Sequence, residues 1–186
     1  MKKSILTLCC FLLTIGFAFA QQTTTEIEKE VDTLSTINGQ HFLKFNEKDI
    51  ELKAEFAKNR GRLPWPVDDG VISFPFGNYK ISGCCLCGDN PGLTIDTRPG
   101  SPVKSVFDGV IAAVHNFDDG VAVIVRHGKY YTCYSNLSAV NVAKGDSVKC
   151  GQVMGKVGDS DDGTCGRIDF MLLVETKNIN PQPWLR

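Results

Sequence analysis

Val121-Ala122-Val123-Ile124-Val125-Arg126-His127-Gly128-Lys129-Tyr130-Tyr131-Thr132-Cys133-Tyr134-Ser135-Asn136-Leu137 reads as two strands around a glycine turn. β-Branched and aromatic residues fill both arms, 121–127 and 130–137, and Gly128 supplies the turn between them. Outward from this pair, further short apolar runs read as strands at 71–76, 93–96, 103–114, 152–157 and 168–174. Val106, Val110, Ala112 and Val114 nearly alternate, and Gly145 and Gly158 mark turns. No helical pattern of any length interrupts residues 71–186. The expected fold class is therefore all-β, a compact barrel or sandwich.

Upstream the pattern changes. Residues 21–62 are polar, with a weak helical spacing at Ile27, Val31 and Leu34. A better helix is expected at 47–59, where Ile50, Leu52, Phe56 and Ala57 mark an apolar face and Gly61 stands where a stop belongs. In Gly61-Arg62-Leu63-Pro64-Trp65-Pro66-Val67 two prolines prevent both helix and central strand, so a β domain is expected over 63–186.

The first residues bound the compartment. Lys2 and Lys3 precede an apolar run, and Ala18-Phe19-Ala20 before Gln21 is a small-x-small cleavage pattern, so 1–20 reads as a secretory signal peptide. The run is too short and wrongly flanked for a membrane span. In Leu6-Thr7-Leu8-Cys9 the apolar core would follow the cysteine instead of preceding it, so no lipid anchor is expected. Export across the inner membrane, to the periplasm or the exterior, follows as an expectation. Cleavage leaves 166 residues (186 − 20) and moves the formal charge from −1 to −3 with the two leader lysines. That near-neutral balance argues against nucleic acid as a partner, because affinity there rests on clustered cations.

Six cysteines remain after the leader: Cys84, Cys85, Cys87, Cys133, Cys150 and Cys165. In an exported chain an even count reads as disulfides whose pairing the sequence does not sort. The alternative is a thiolate metal site on Cys84-Cys85-Leu86-Cys87 with Cys165, although it lacks the two spaced pairs of a structural zinc site.

A framework runs from Gly92-Leu93-Thr94-Ile95-Asp96 through Gly100-Ser101-Pro102-Val103, Asp108-Gly109-Val110-Ile111, Val125-Arg126-His127-Gly128 and Tyr134-Ser135-Asn136-Leu137. It continues through Lys144-Gly145-Asp146 and Gly151-Gln152 to Asn180-Pro181-Gln182-Pro183-Trp184-Leu185. It resembles the lysostaphin/LytM-type (duplicated hybrid motif) zinc peptidases, and more closely their degenerate branch, the EnvC-type murein hydrolase activators. The resemblance implies a compact β fold and a groove that in active members holds zinc. The family's His-x-Gly-x-Asp run falls on Asn90-Pro91-Gly92-Leu93-Thr94, and its His-x-His on Arg167-Ile168-Asp169. Its Tyr-x-His-Leu run falls on Tyr134-Ser135-Asn136-Leu137. All five functional positions are substituted, and of the replacements only Asp169 is a metal-binding side chain.

Zinc catalysis needs three protein ligands of nitrogen, sulfur or carboxylate type and a partner that takes a proton from bound water. Asn90, Thr94, Asn136 and Arg167 do neither. A guanidinium would also repel a dication beside it. The resemblance, so corrected, implies no catalytic residue, no metal and no cofactor, zinc having been lost. It implies a groove lined by Asn90, Thr94, Asn136, Arg167 and Asp169 that binds peptidoglycan or a cell-wall hydrolase. An active metalloendopeptidase of peptidoglycan peptides is the alternative, and a disulfide-stabilised structural or adhesion module the second. By the family's arrangement the 84–87 loop and Cys165 border the same groove, so a bridge there would lock it.

Blander readings stand beside these. Arg167 and Asp169, two apart on a strand, share a face and would merely neutralise each other. His127 reads as a satisfied structural residue, and Asp159-Ser160-Asp161-Asp162-Gly163 as a solvated loop that lacks the closing glutamate of a calcium site. The glycine-rich segment around Lys144 and Lys156 resembles a biotinyl or lipoyl carrier hairpin, but Lys156 lies inside an expected strand.

Overall fold

In the computed structural model the described residues are 36–37, 40–41, 47–80 and 87–186. The expected signal peptide, and Cys84 and Cys85, lie outside them. The chain divides into two compact units, Met1–Lys44 and Phe45–Arg186. In the first, β1 (Thr36–Ile37) and β2 (Gln40–His41) pair antiparallel.

The second unit opens on α1 (Glu47–Lys58). Phe56 is its anchor, fully buried, with its ring stacked on Tyr130 at 4.6 Å and His127 at 5.0 Å and edge-on to Phe107 at 5.2 Å. Past the helix the chain turns through Gly61, whose φ of 76° suits glycine. The N–H groups of Gly61 and Leu63 both donate to the Trp184 carbonyl, and Arg186 N–H donates to the Leu63 carbonyl, which fastens the domain entrance to the C-terminal residues. The helix therefore shares one core with the strands.

Those strands are β3 (Val71–Phe74), β4 (Gly77–Lys80), β5 (Cys87–Asn90), β6 (Leu93–Thr97), β7 (Pro102–Lys104), β8 (Gly109–Phe117) and β9 (Gly120–His127). There follow β10 (Tyr130–Val140), β11 (Ser147–Val148), β12 (Val153–Asp159), β13 (Gly166–Val174) and β14 (Lys177–Ile179). β4 and β5 form a separate hairpin. The other ten build one antiparallel sheet along the path β11-β8-β9-β10-β12-β13-β6-β3, with β7 on β12 and β14 on β13; its ends are not joined, so the sheet is open. The all-β class with a short helical segment is thus as expected. The quoted hairpin is its centre: His127 pairs with Tyr130 around Gly128 and Lys129. β9 is buried at Ala122, Val123, Ile124 and Val125, so both faces of the sheet are covered along it.

The expected strand 103–114 is instead two strands. The Ser105 hydroxyl donates to the Phe107 carbonyl at 2.7 Å, and Val106 N–H donates to the buried Tyr134 hydroxyl at 3.0 Å, so this stretch leaves the ladder. The pairing register then shifts between Ile111 and Ala113, but burial still alternates, with Ile111 and Ala113 buried and Val110, Ala112 and Val114 half-buried.

β10 is the branch point of the sheet. Its first half, Tyr130 to Ser135, pairs with β13, whereas Leu137 to Val140 pairs with β12. The switch falls on Asn136, whose φ of 61° lies in the left-handed region that asparagine tolerates better than most residues. This junction brings β6, β10, β12 and β13 together around the residues of interest.

Candidate functional site

The register of β6 against β13 decides which side chains meet. Thr94 lies opposite Asp169, and Asp96 opposite Arg167. On the other flank of β13, Ser135 of β10 lies opposite Asp169. Register partners in an antiparallel pair project from the same face, so Thr94, Asp169 and Ser135 form one row across three strands, and Asp96 with Arg167 forms the next.

In the first row the Thr94 hydroxyl donates to Asp169 Oδ1 at 2.7 Å. Asn90, at the end of β5, donates through Nδ2 to the Phe74 carbonyl at 3.1 Å and to Thr94 Oγ1 at 3.3 Å, and its Oδ1 accepts from Gly92 N–H at 3.1 Å. The three residues on the family's metal-ligand positions are thereby joined in one hydrogen-bonded chain. Loss of surrounding water raises the Asp169 carboxyl above its ordinary value, against the lowering effects of the Thr94 hydroxyl and the Arg167 charge. Ser135 is fully buried and its Oγ has no hydrogen-bond partner among the described residues, an omission that costs about 1–3 kcal/mol in a buried hydroxyl.

In the second row Arg167 grips Asp96 with two bonds, Nε to Oδ1 at 2.7 Å and Nη2 to Oδ2 at 3.2 Å, with both side chains roughly three-quarters buried. This corrects the expectation that Arg167 and Asp169 neutralise each other. A directly opposed partner lies about 5 Å away, closer than a residue two positions along the same strand, so the cross-strand carboxylate wins. The guanidinium also sits over the Phe74 ring at 5.9 Å.

Asn136 stands apart from this cluster. Its Nδ2 donates to the carbonyls of Asp159 and Arg167, both at 2.9 Å, and so pins β12 and β13 where β10 changes partner. Its amide N–H groups are thus committed to backbone.

The β4–β5 hairpin, absent from the sequence reading, adds Tyr79 to the site. Its ring lies against the Cα of Gly88, where any side chain would meet it at 2.7 Å, and it contacts Phe74 at 4.8 Å between centroids. Burial and then the charge of Asp169 raise the Tyr79 phenol. Asp96, Ser135, Phe74 and Tyr79 are the site residues that motif spacing did not reveal. Only the strand alternation that puts Asp96 on the face of Thr94 gave any signal of them.

The remaining candidates lie elsewhere. Among the described residues no group of three His, Cys, Asp or Glu side chains converges on a point. Cys87 and Cys150 are exposed, Cys165 half-buried and Cys133 buried, and all four are free thiols, so the expected bridges are not formed among them. They stand on separate elements: Cys87 opens β5, Cys133 lies within β10, and Cys150 and Cys165 precede β12 and β13. Desolvation pushes the Cys133 thiol up to about 12. The acidic loop closes on itself, Asp162 accepting from the Ser160 and Thr164 hydroxyls at 2.6 and 2.8 Å. His127 is fully buried: Nδ1 donates to the Asp108 carbonyl at 2.7 Å, and Nε2 then accepts from Thr132 Oγ1 at 2.9 Å.

Comparison with known proteins bears on family and fold. Murein hydrolase activator EnvC of Escherichia coli is 33% identical over 128 residues, covering 68% of this chain and 29% of EnvC. Glycyl-glycine endopeptidase ALE-1 of Staphylococcus capitis is 29% identical over 142 residues, covering 71% of this chain and 38% of ALE-1. Lysostaphin of Staphylococcus staphylolyticus is 32% identical over 125 residues, 63% of this chain and 25% of lysostaphin. The solution structure of lysostaphin superposes at a TM-score of 0.54 with 26% identity, over 67% of this chain and 53% of that one. The chain thus spans well under half the length of these curated relatives, and they include both an endopeptidase and an activator. The model of peptidase family M23 matches residues 88–181, half of the 186-residue sequence, and the chain belongs to that family.

Proposed function

We propose that this protein is an exported, cell-wall-associated member of the family whose groove does not hold zinc and which binds peptidoglycan, or a cell-wall hydrolase, without cleaving it. The observation that carries this reading is the closed hydrogen-bond chain Asn90–Thr94–Asp169 at the positions where active relatives keep metal ligands. Its donor set does not fit zinc. It offers one carboxylate, one hydroxyl and one amide whose oxygen already accepts from Gly92 N–H, where zinc takes three nitrogen, sulfur or carboxylate ligands. Arg167 on the adjacent rung is paired with Asp96 and supplies no ligand.

Likeness to a murein hydrolase activator supports regulation as the output of binding. Export rests on the leader-like residues 1–20, and no helix among the described residues is long and apolar enough to cross a membrane.

Co-sedimentation with purified peptidoglycan sacculi tests the reading. The chain is expected to pellet with sacculi and release no soluble fragments, and the double variant Asn90→Ala/Arg167→Ala to pellet less while still melting cooperatively. Unchanged pelleting by a folded double variant would mean that any wall affinity resides outside the groove.

A further inference from the structure

We propose that Asp169 and Ser135 form a subsite for a primary ammonium group at the end of an aliphatic side chain, so that the groove selects amine-bearing peptides. The inference rests on the groove-binding function above and names the chemistry that the groove takes.

Three observations lead to it. The first is an imbalance of acceptors and donors. Thr94 occupies Asp169 Oδ1, and among the described residues Asp169 forms no ion pair and accepts no second hydrogen bond. Ser135 Oγ, its cross-strand neighbour, is buried without a partner among the described residues. Two acceptors thus lie side by side, and a group with several N–H donors satisfies both.

The second is charge. The Arg167 guanidinium is held by two bonds to Asp96. Burial is the chief obstacle to ionisation of Asp169, with Asp161 and Asp96 adding to it and the Thr94 hydroxyl and the Arg167 charge working against it, so an ammonium beside the carboxylate would supply the stabilisation that burial withholds. The third is shape. Asp169 retains some exposed surface and Ser135 beside it is fully buried, so a ligand would reach the row from the Asp169 side. Half-buried Tyr79, close enough to feel the Asp169 charge, and Phe74 beside it supply an apolar wall for methylene groups. A compact ammonium on a flexible stem suits that space better than a planar guanidinium, which needs a two-oxygen fork of the kind Asp96 already gives Arg167.

The test uses the full chain and four probes: a blocked Ala-Lys-Ala tripeptide, the same peptide with the lysine Nε acetylated, native sacculi, and sacculi with their amines acetylated. Wild type is expected to bind the lysine peptide more tightly than its acetylated form by about tenfold or more, the weight of one charge-assisted contact. Asp169→Asn keeps an acceptor for Thr94 and should lose that discrimination. Ser135→Ala should weaken lysine-peptide binding while leaving the melting temperature unchanged or higher, since it removes an unsatisfied hydroxyl. Equal binding of the two peptides, or binding of neither, overturns the subsite, as does full discrimination by a folded Asp169→Asn protein. If native and acetylated sacculi pellet equally with wild type, the subsite falls and the groove reading stands. If the lysine peptide is discriminated but no sacculi pellet, the subsite stands and the polymer assignment falls.

Discussion

Acidification should loosen the fold through His127, and the size of the effect follows from the site. The imidazole is sealed between Phe56, the Asp108 carbonyl and the Thr132 hydroxyl, and desolvation lowers it from 6.5 to about 4. The folded state therefore keeps a neutral ring where the unfolded chain binds a proton. Stability from this residue is fully present above about pH 6.5 and is lost as pH falls towards 4. At 1.36 kcal/mol for each tenfold change in proton affinity, the loss is about 2 kcal/mol at pH 5 and about 3 kcal/mol at pH 4. Asp169 works in the opposite sense. Its raised carboxyl makes the folded state the better proton acceptor above pH 3.8, so protonation there favours folding and partly offsets the loss. Urea unfolding at pH 7, 6 and 5 for wild type and His127→Gln separates the two. The wild type should lose stability steeply over this interval and the variant much less. Equal losses in both proteins would show that His127 is not the group responsible.

Other changes have defined outcomes. Phe56→Ala should cost about 3–5 kcal/mol in denaturant unfolding, because the ring joins α1 to four aromatic neighbours in the sheet core; a loss below 1 kcal/mol would detach the helix from that core. Asn136→Ala removes both donations to the β12 and β13 carbonyls and places alanine at φ 61°, so about 2 kcal/mol should be lost, and an unchanged midpoint would refute its role as a pin. Alkylation of the native protein should spare Cys133, buried and with its thiol pushed up to about 12, until the chain unfolds. Denatured but unreduced protein should take label at Cys87, Cys133, Cys150 and Cys165, the four free thiols, and a missing label at any of them would restore the expected bridges.

Local pattern made much of this fold legible. The 121–137 hairpin, the strands at 93–96 and 168–174 and the helix beginning at Glu47 follow from residue type and spacing, and the structure alters their ends by a few residues. Tertiary context was less visible. The strand break at Ser105–Phe107 depends on a tyrosine 28 positions away that captures Val106 N–H. The pairing of Arg167 with Asp96 spans 71 positions and is fixed only by the register of β6 on β13. The β4–β5 hairpin has short polar strands, GNYK and CGDN, that carry no apolar alternation, so Tyr79 was not placed. The site positions were found by resemblance to the peptidase motifs. Their chemistry, in contrast, came from which side chains the register set opposite one another.

The central claim is that the ligand positions Asn90, Thr94 and Asp169 no longer make a zinc site. Elemental analysis of protein purified without chelator, taken with a sacculus-clearing assay on the same preparation, tests it most directly. The account predicts far less than one zinc per chain, no clearing, and no change in either on chelation. About one zinc per chain, lost on chelation together with clearing activity, would contradict it.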